Sequence, residues 1–265
     1  MTRPSSRPLA LVTGASSGIG FELAKQFAEH GFDLVVCAED DGLEAAAEQL
    51  QATGADVRTV RADLSTYDGV EQLYAASTVA GRPVDVAALN AGVGLGGPFL
   101  KTELAREISM IDLNITSTVH LAKRLLPDMV ARNQGRVLVT SSIAATMPGS
   151  FQSVYNGTKS FLQSWVQALQ NELKDTGVTI TSLMPGPTET NFFHRAEMDD
   201  TLVGRSQAIK DDPAQVARQG FEALMDGEDK LVAGSLMTKA QGAMNKVLPD
   251  NVKAAAHRKM AEPDS

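Results

Sequence analysis

The strongest constraint on the fold is a rhythm. Short apolar runs rich in β-branched residues alternate with longer stretches of helical periodicity along most of the chain. Leu9–Val12, Phe32–Ala38, Val57–Ala62, Val84–Leu89, Arg136–Thr140 and Val178–Met184 read as strands, with Lys230–Ala233 as a last one. Between them, Ile19–Phe27, Gly42–Ala52, Val70–Val79, Glu103–Leu113, Ile115–Arg132 and Ser153–Lys174 carry apolar residues at helical spacing, and Pro213–Met225 continues the series. Strands that are apolar throughout suit a sheet covered on both faces. The expected fold class is therefore α/β, a doubly wound parallel sheet with helices on both faces. In such sheets ligands bind beyond the carboxyl ends of the strands. The unusual features of this chain fall at those ends: Gly14, Asn90, Ser142 and Pro185.

No repeat, low-complexity tract or linker divides the 265 residues, so one domain is expected. The formal net charge of −8 and the scatter of basic residues argue against nucleic-acid or anionic-membrane partners. No apolar run approaches the ~20 residues that span a bilayer. Met1–Pro8 is short and polar, unlike a signal peptide. The single cysteine, Cys37, lies inside an apolar run and reads as a buried small hydrophobe. A cytoplasmic location is the default expectation. His30, His120, His194 and His257 are scattered without ligand spacing, so no metal site is expected.

The first strand runs into Thr13-Gly14-Ala15-Ser16-Ser17-Gly18-Ile19-Gly20, which opens a helix. Glycines let backbone approach a pyrophosphate, the helix N-terminus offers free N–H groups, and Ser16 and Ser17 add hydroxyls. The spacing is G-x-x-x-G-x-G, not the G-x-G-x-x-G dinucleotide fingerprint. A tight strand-to-helix turn needing only small residues is the plainer reading. Tyr155 and Lys159 stand four residues apart, on one helix face. A cation beside a phenol favours the phenolate, so the pKa of Tyr155 is expected to fall toward neutrality. Alone, such a pair is common on helix surfaces.

Taken together, Thr13–Gly20, Asn90-Ala91-Gly92, Ser142, Tyr155-x-x-x-Lys159 and Pro185-Gly186 resemble the short-chain dehydrogenase/reductase family in order and spacing, over about Leu9 to Thr190. The resemblance implies a single Rossmann-type domain, a nicotinamide cofactor, alcohol/ketone redox, and a homotetramer or homodimer. It implies that Tyr155 is the general acid/base and that Lys159 lowers its pKa and bonds the nicotinamide ribose. Ser142, thirteen residues earlier, would hydrogen-bond the substrate oxygen. Asn114 resembles the family's helix-kinking asparagine, which holds a relay water beneath Lys159; capping the helix that starts at Ile115 is the alternative. Asp63 and Leu64 correspond to adenine contacts, and Asn90, Ala91 and Gly92 to packing beside the adenosine ribose. Thr188 and Thr190, after Pro185-Gly186, match contacts to the nicotinamide carboxamide. Gly14, Ser16, Ser17, Gly18, Ile19 and Gly20 complete the cofactor set. Between Tyr155 and Lys159 the chain has Asn156-Gly157-Thr158 rather than small Ser/Ala residues, and Gly157 is expected to admit a neighbouring helix or the cofactor.

The second strand ends in Glu39-Asp40-Asp41, without the arginine that NADP-preferring relatives carry at Glu39 and without a basic neighbour of Ser16 or Ser17. Carboxylates repel a 2′-phosphate, and one can accept from a ribose 2′-hydroxyl. NAD(H) is therefore the expected cofactor, through Glu39 or Asp40, with NADP(H) as the alternative. Ala38 stands where the usual NAD-selecting aspartate lies. The same acidic residues also suit the first turn of the following helix.

The polar Thr188–Asp212 segment is expected to form a substrate loop, and the tail over 235–261 reads as helical before fraying into Glu262–Ser265. With Gly94, Leu95, Phe151, Phe192 and Phe193, the loops around the site suggest an apolar pocket. Two rivals remain at this stage. A 3-oxoacyl-carrier-protein reductase would favour NADPH and a basic docking patch, to which Lys123, Arg124 and Arg132 contribute at most locally. A non-catalytic NAD(P)-binding regulator should have lost Ser142, Tyr155 or Lys159, and none is lost.

Overall fold

The computed structural model describes residues 7–79, 81–245 and 247–263. Of the opening segment Met1–Pro8, Met1–Ser6 lie outside the described residues, as do Asp264 and Ser265 of the tail. The strands are β1 (Leu9–Thr13), β2 (Asp33–Ala38), β3 (Val57–Arg61), β4 (Val86–Leu89), β5 (Gly135–Thr140), β6 (Val178–Pro185) and β7 (Lys230–Ala233). They form one parallel sheet in the order β3-β2-β1-β4-β5-β6-β7. The order reverses between β1 and β4, which opens a crevice at their carboxyl ends.

Alternate side chains of each strand enter opposite cores. Ala10, Val12, Leu34, Val36 and Ala88 pack with Leu23 and Phe27 of α1 (Gly18–Glu29), Leu43 and Leu50 of α2 (Gly42–Gln51), and Val216 and Leu224 of α9 (Pro213–Asp226). Leu11, Val35, Cys37, Ala87, Val137 and Ile180 pack with Val70 and Leu73 of α3 (Tyr67–Thr78), Leu121 and Met129 of α5 (Ser117–Ala131), and Leu162 and Val166 of α6 (Ser153–Glu172). A period of two along the strands thus serves two helical layers, and explains why the central strands lack polar alternation. Cys37 is buried, and burial pushes its thiol up to about 12, as suits a core side chain.

Local chemistry sets the ends of several helices. Thr66 caps α3 by accepting from the Gly69 N–H at 3.0 Å. Asp212 caps α9 by accepting from Ala214 N–H at 2.9 Å, Pro213 fills its first turn, and Gly227 ends it at φ +72°.

Three elements differ from the sequence reading. The helices expected over Glu103–Leu113 and Ile115–Arg132 are joined: α4 (Leu104–Ile111) runs through a π-helical turn at Asp112–Thr116 into α5. Asn114 therefore lies inside a helix and caps none. The substrate loop carries two single-turn helices, α7 (Phe192–Arg195) and α8 (Leu202–Arg205). The tail forms two helices, α10 (Leu236–Met244) and α11 (Asp250–Ala261). No helix among the described residues is long and apolar enough to cross a membrane, and no described cluster of His, Cys, Asp and Glu could hold a metal ion.

Candidate active site

A single cleft runs along the carboxyl ends of the strands, from the β2–α2 junction to α11. It is lined by Gly14, Ser16, Ser17, Gly18, Ile19, Gly20, Glu39, Asp40, Leu64, Asn90, Ala91, Gly92, Ser142, Tyr155, Lys159, Pro185, Gly186, Thr188 and Thr190. The sequence reading nominated these, while Ala38, Ala62, Val93, Thr140, Ser141 and Arg195, which line the same cleft, were not nominated. Two other nominees stand outside the lining. Asn114 is buried behind it. Asp63 is turned away, because its carboxylate accepts from the Ser65 N–H at 2.8 Å and hydroxyl at 2.7 Å at the head of α3.

The glycine turn is shaped for a ligand to come close. Gly14 and Gly18 have φ of +67° and +57°, and a Cβ on Gly20 would land on the Gly14 carbonyl. Ser17 precedes α1 in extended conformation and makes no side-chain cap, which leaves the helix N-terminus open to an anion. The turn is braced from below: Thr13 Oγ1 accepts from Asn90 N–H at 2.9 Å and Ala91 N–H at 3.0 Å. Asn90 also donates to Thr13 O and accepts from Thr140 Oγ1 at 3.0 Å, so one amide ties β1, β4 and β5 together. From above, a Cβ at Gly18 would press on the Thr190 methyl, so the substrate loop rests on the turn.

The acidic edge holds cations that the sequence did not reveal. Asp40 accepts from Ser16 Oγ at 2.8 Å, Gly42 N–H at 3.0 Å and the Arg195 guanidinium at 3.1 Å. Burial alone would raise its pKa, but the bonds from Ser16, Arg195 and Gly42 outweigh this and hold it below the usual range. Arg61 donates to the Glu39 carbonyl and pairs with Asp41. Arg195 comes from α7, remote in sequence, so no local pattern announced it.

At the centre, Tyr155 and Lys159 project from α6. Lys159 Nζ donates to the Thr140 carbonyl at 2.9 Å and lies 5.8 Å from the Tyr155 ring centroid. Burial lowers the Lys159 pKa to about 8. Burial raises the Tyr155 pKa to about 12, and a hydrogen bond with Ser142 offsets only part of this. The expected depression of the phenol is thus overturned: desolvation dominates, and the ammonium, over the ring, bonds to Thr140 O. Ser142 Oγ accepts from Ala144 N–H at 3.1 Å. Asn114 donates to Val93 O at 2.9 Å and Thr158 Oγ1 at 3.1 Å, and accepts from Val93 N–H at 2.9 Å. It pins the loop after β4 to α6. Gly157 faces open space, with nothing of the described chain within 4 Å of a Cβ there, so no helix of this chain makes the close approach.

Beyond Tyr155 the cleft widens into a chamber walled by Ala144, Met147, Phe192, Phe193, Val203 and Met260, with Gln152, Gln241 and His257 among them. The Phe192 ring is 5.3 Å from the Tyr155 ring. Leu95 supports Tyr155 from behind and Phe151 packs toward the tail, so these two of the five nominated pocket residues stand outside the lining, as does Gly94. The wall from α10 and α11 was missed. Their sequence is amphipathic at best, and nothing in it marks which face meets the site.

The fold and cleft define a Rossmann-type protein built to hold an extended nucleotide along its switch point. The comparisons then resolve the family. Residues 8–201 match the model of the short chain dehydrogenase family. A serine 3-dehydrogenase of Agrobacterium fabrum is 34% identical over 187 residues, 69% of this chain and 72% of that protein. A short-chain dehydrogenase of Sphingobium yanoikuyae, solved with NADPH, superposes with TM-score 0.79 at 26% identity over 91% of this chain and 96% of the other. A short chain dehydrogenase/reductase of Burkholderia phymatum, solved with NAD, gives TM-score 0.82 at 23% identity over the whole of both chains and shares the fold. This chain belongs to the short-chain dehydrogenase family and is an oxidoreductase with a nicotinamide-nucleotide site.

Proposed function

We propose that the protein interconverts a secondary alcohol and a ketone, with NAD(H) preferred and Tyr155 as the general acid/base. The observation that carries this reading is the convergence of Tyr155, Ser142 and Lys159 on one buried wall beside the glycine turn. The bound nicotinamide would accept or supply the hydride. The residues present fit such a group: a glycine cradle without Cβ atoms, an open helix N-terminus, and a lysine at the inner end. In the reducing direction the carbonyl carbon gains hydride and its oxygen gains a proton. Tyr155, held protonated across neutral pH by burial, donates that proton, and Ser142 stabilises the developing oxyanion. Lys159 keeps positive charge nearby below about pH 8. Asn114 acts at one remove by fixing α6 against the Val93 loop, and a relay through it belongs to the same reading.

The preference for NAD(H) rests on charge. Arg61 and Arg195 neutralise two of the three carboxylates at the acidic edge, and one negative charge remains among these five side chains to oppose a 2′-phosphate. Glu39 or Asp40 would accept from the ribose hydroxyl. Assembly as a dimer or tetramer is part of the proposal, measurable by sedimentation.

The test follows reduction of a ketone panel by nicotinamide absorbance. Tyr155→Phe should lose activity by at least a hundredfold while keeping cofactor affinity; undiminished turnover would remove the proposed acid/base. Titration should show NADH binding more tightly than NADPH, and Glu39→Arg should narrow or reverse that order. Tighter NADPH binding by the unmodified protein would overturn the cofactor assignment.

A further inference from the structure

The turn before α6 is strained, and it sits under the chamber. Phe151 adopts φ +64°, a conformation that bulky L-residues rarely take. Such strain persists only where the surroundings hold it, and it is often placed at ligand sites. Here four contacts hold it. The Phe151 carbonyl accepts from Gly97 N–H at 2.9 Å. Ser150 Oγ donates to Ala254 O at 3.4 Å, and Ser150 O faces His257 Nδ1 at 3.0 Å. The Arg258 guanidinium stacks 5.4 Å from the Phe151 ring centroid. Three of these contacts come from α11.

The strained turn carries Gln152, which leads into α6 and lines the same cleft as Tyr155 three residues later. Gln152 is 8% exposed and lines the chamber, yet its amide nitrogen is buried with no hydrogen-bond partner. An orphaned buried donor is costly unless a ligand satisfies it. His257, also 8% exposed, lines the same chamber. Its Nδ1 faces a carbonyl, which can only accept, so Nδ1 carries the ring proton and Nε2 is an acceptor. Burial lowers its pKa, so the ring is neutral at neutral pH.

We propose that Gln152 and His257 form a polar subsite that reads a second hydroxyl group of the substrate, within a few bonds of the reacting carbon. A hydroxyl oxygen accepts from the Gln152 amide while its proton goes to His257 Nε2. A carboxylate fits poorly, because it has no proton for Nε2. The cations of the lining are also committed, Lys159 to Thr140 O and Arg195 to Asp40. A plain alkyl group would leave the Gln152 N–H unpaired. The substrate class is thus a hydroxyketone and its diol, with apolar bulk against Phe192, Phe193 and Met260. This rests on the alcohol/ketone reading for the chamber's role and adds the chemistry of what enters it.

The experiment compares matched pairs: α-hydroxyacetophenone with acetophenone, and hydroxyacetone with acetone. Both kcat/KM and calorimetric affinity for the cofactor-loaded protein are measured. The hydroxylated member should win by about tenfold or more in each pair. Gln152→Met is the decisive variant, because the amide it removes bonds nothing among the described residues; the ratio should fall toward one, through KM and affinity. His257→Phe should act in the same direction. No preference in the unmodified protein, or an unchanged ratio in Gln152→Met, overturns the subsite. Turnover of plain ketones without preference defeats this inference and leaves the alcohol/ketone reading standing. Selective binding without turnover of any ketone does the reverse.

Discussion

Two opposed effects act on Tyr155, and burial wins. A lysine four residues on should stabilise the phenolate, but both groups are almost wholly removed from water, and desolvation penalises each charged form. The phenol stays protonated across neutrality, and the lysine loses its charge only as pH rises through about 8. The pH dependence follows with a definite sign. Lys159 is charged below about pH 8 and supports the anion left when Tyr155 gives up its proton. Ketone reduction, measured as kcat/KM, should therefore hold level below that value and fall as pH rises through it. Alcohol oxidation needs the phenolate and should climb with pH. A reduction rate still level well above pH 8 would contradict this. Ser142→Ala should lower kcat by ~10²–10³, the usual effect of removing an oxyanion donor, with KM changing less; a loss confined to KM would refute its role. The residue types at the site were legible because Gly14, Asn90, Ser142 and Pro185 sit where strands end, and Tyr155 and Lys159 share one face of α6. The direction of the tyrosine shift was not, since spacing on a helix says nothing about solvent exclusion. Asp63 shows the same limit: its place after β3 was readable, while the bonds from Ser65 that turn its carboxylate aside depend on the local turn.

Elements built on apolar runs were readable to within a residue or two, since β1, β2 and β4 are covered on both faces and carry little else. Periodicity could not show the π-helical turn, which only the resemblance of Asn114 to a helix-kinking asparagine implied, and the reason is physical. One extra residue in a helix leaves the composition helical on both sides and shifts only the phase. That shift turns the Asn114 side chain inward, where it spans Val93 and Thr158. Asn114→Ala removes three hydrogen bonds, one buried and two half-buried, and takes the partner from both polar groups of Val93. The expected cost is about 2–4 kcal/mol, a fall in Tm of several degrees for a chain of this size. Urea unfolding measures it, and a change under ~0.5 kcal/mol would mean that the turn holds without its asparagine. Activity should fall further than stability does, because α6 carries Tyr155 and Lys159.

At the scale of the molecule, the question is what keeps the substrate loop over the cleft while the tail closes its far wall. The chain leaves β6 after Pro185, and the two ends of the loop are stitched together between Pro187–Glu189 and Asp211. Asp211 N–H donates to Pro187 O at 2.7 Å, and Glu189 N–H donates to Asp211 O at 2.9 Å. The side chain of Asp211 looks the other way. Its carboxylate accepts from Ser235 N–H at 2.8 Å and from Thr238 Oγ1 at 2.6 Å, at the head of α10. One buried residue thus joins loop, sheet and tail, which were separate features in the sequence because Asp211 looked like one more polar residue of a loop. Asp211→Ala keeps the backbone stitch and cuts the link to α10, taking the partner from the half-buried Ser235 N–H. The tail should then loosen against the loop, and the chamber between them should lose definition. The KM for a ketone should rise about tenfold with kcat less affected, and proteolysis within residues 196–210 should accelerate. Saturation with cofactor should slow that cleavage, because Thr190 rests on the glycine turn. Unchanged protease sensitivity and KM would show that the loop is held by its own packing, through Phe193, Met198 and Val203, and that Asp211 serves only to cap α10.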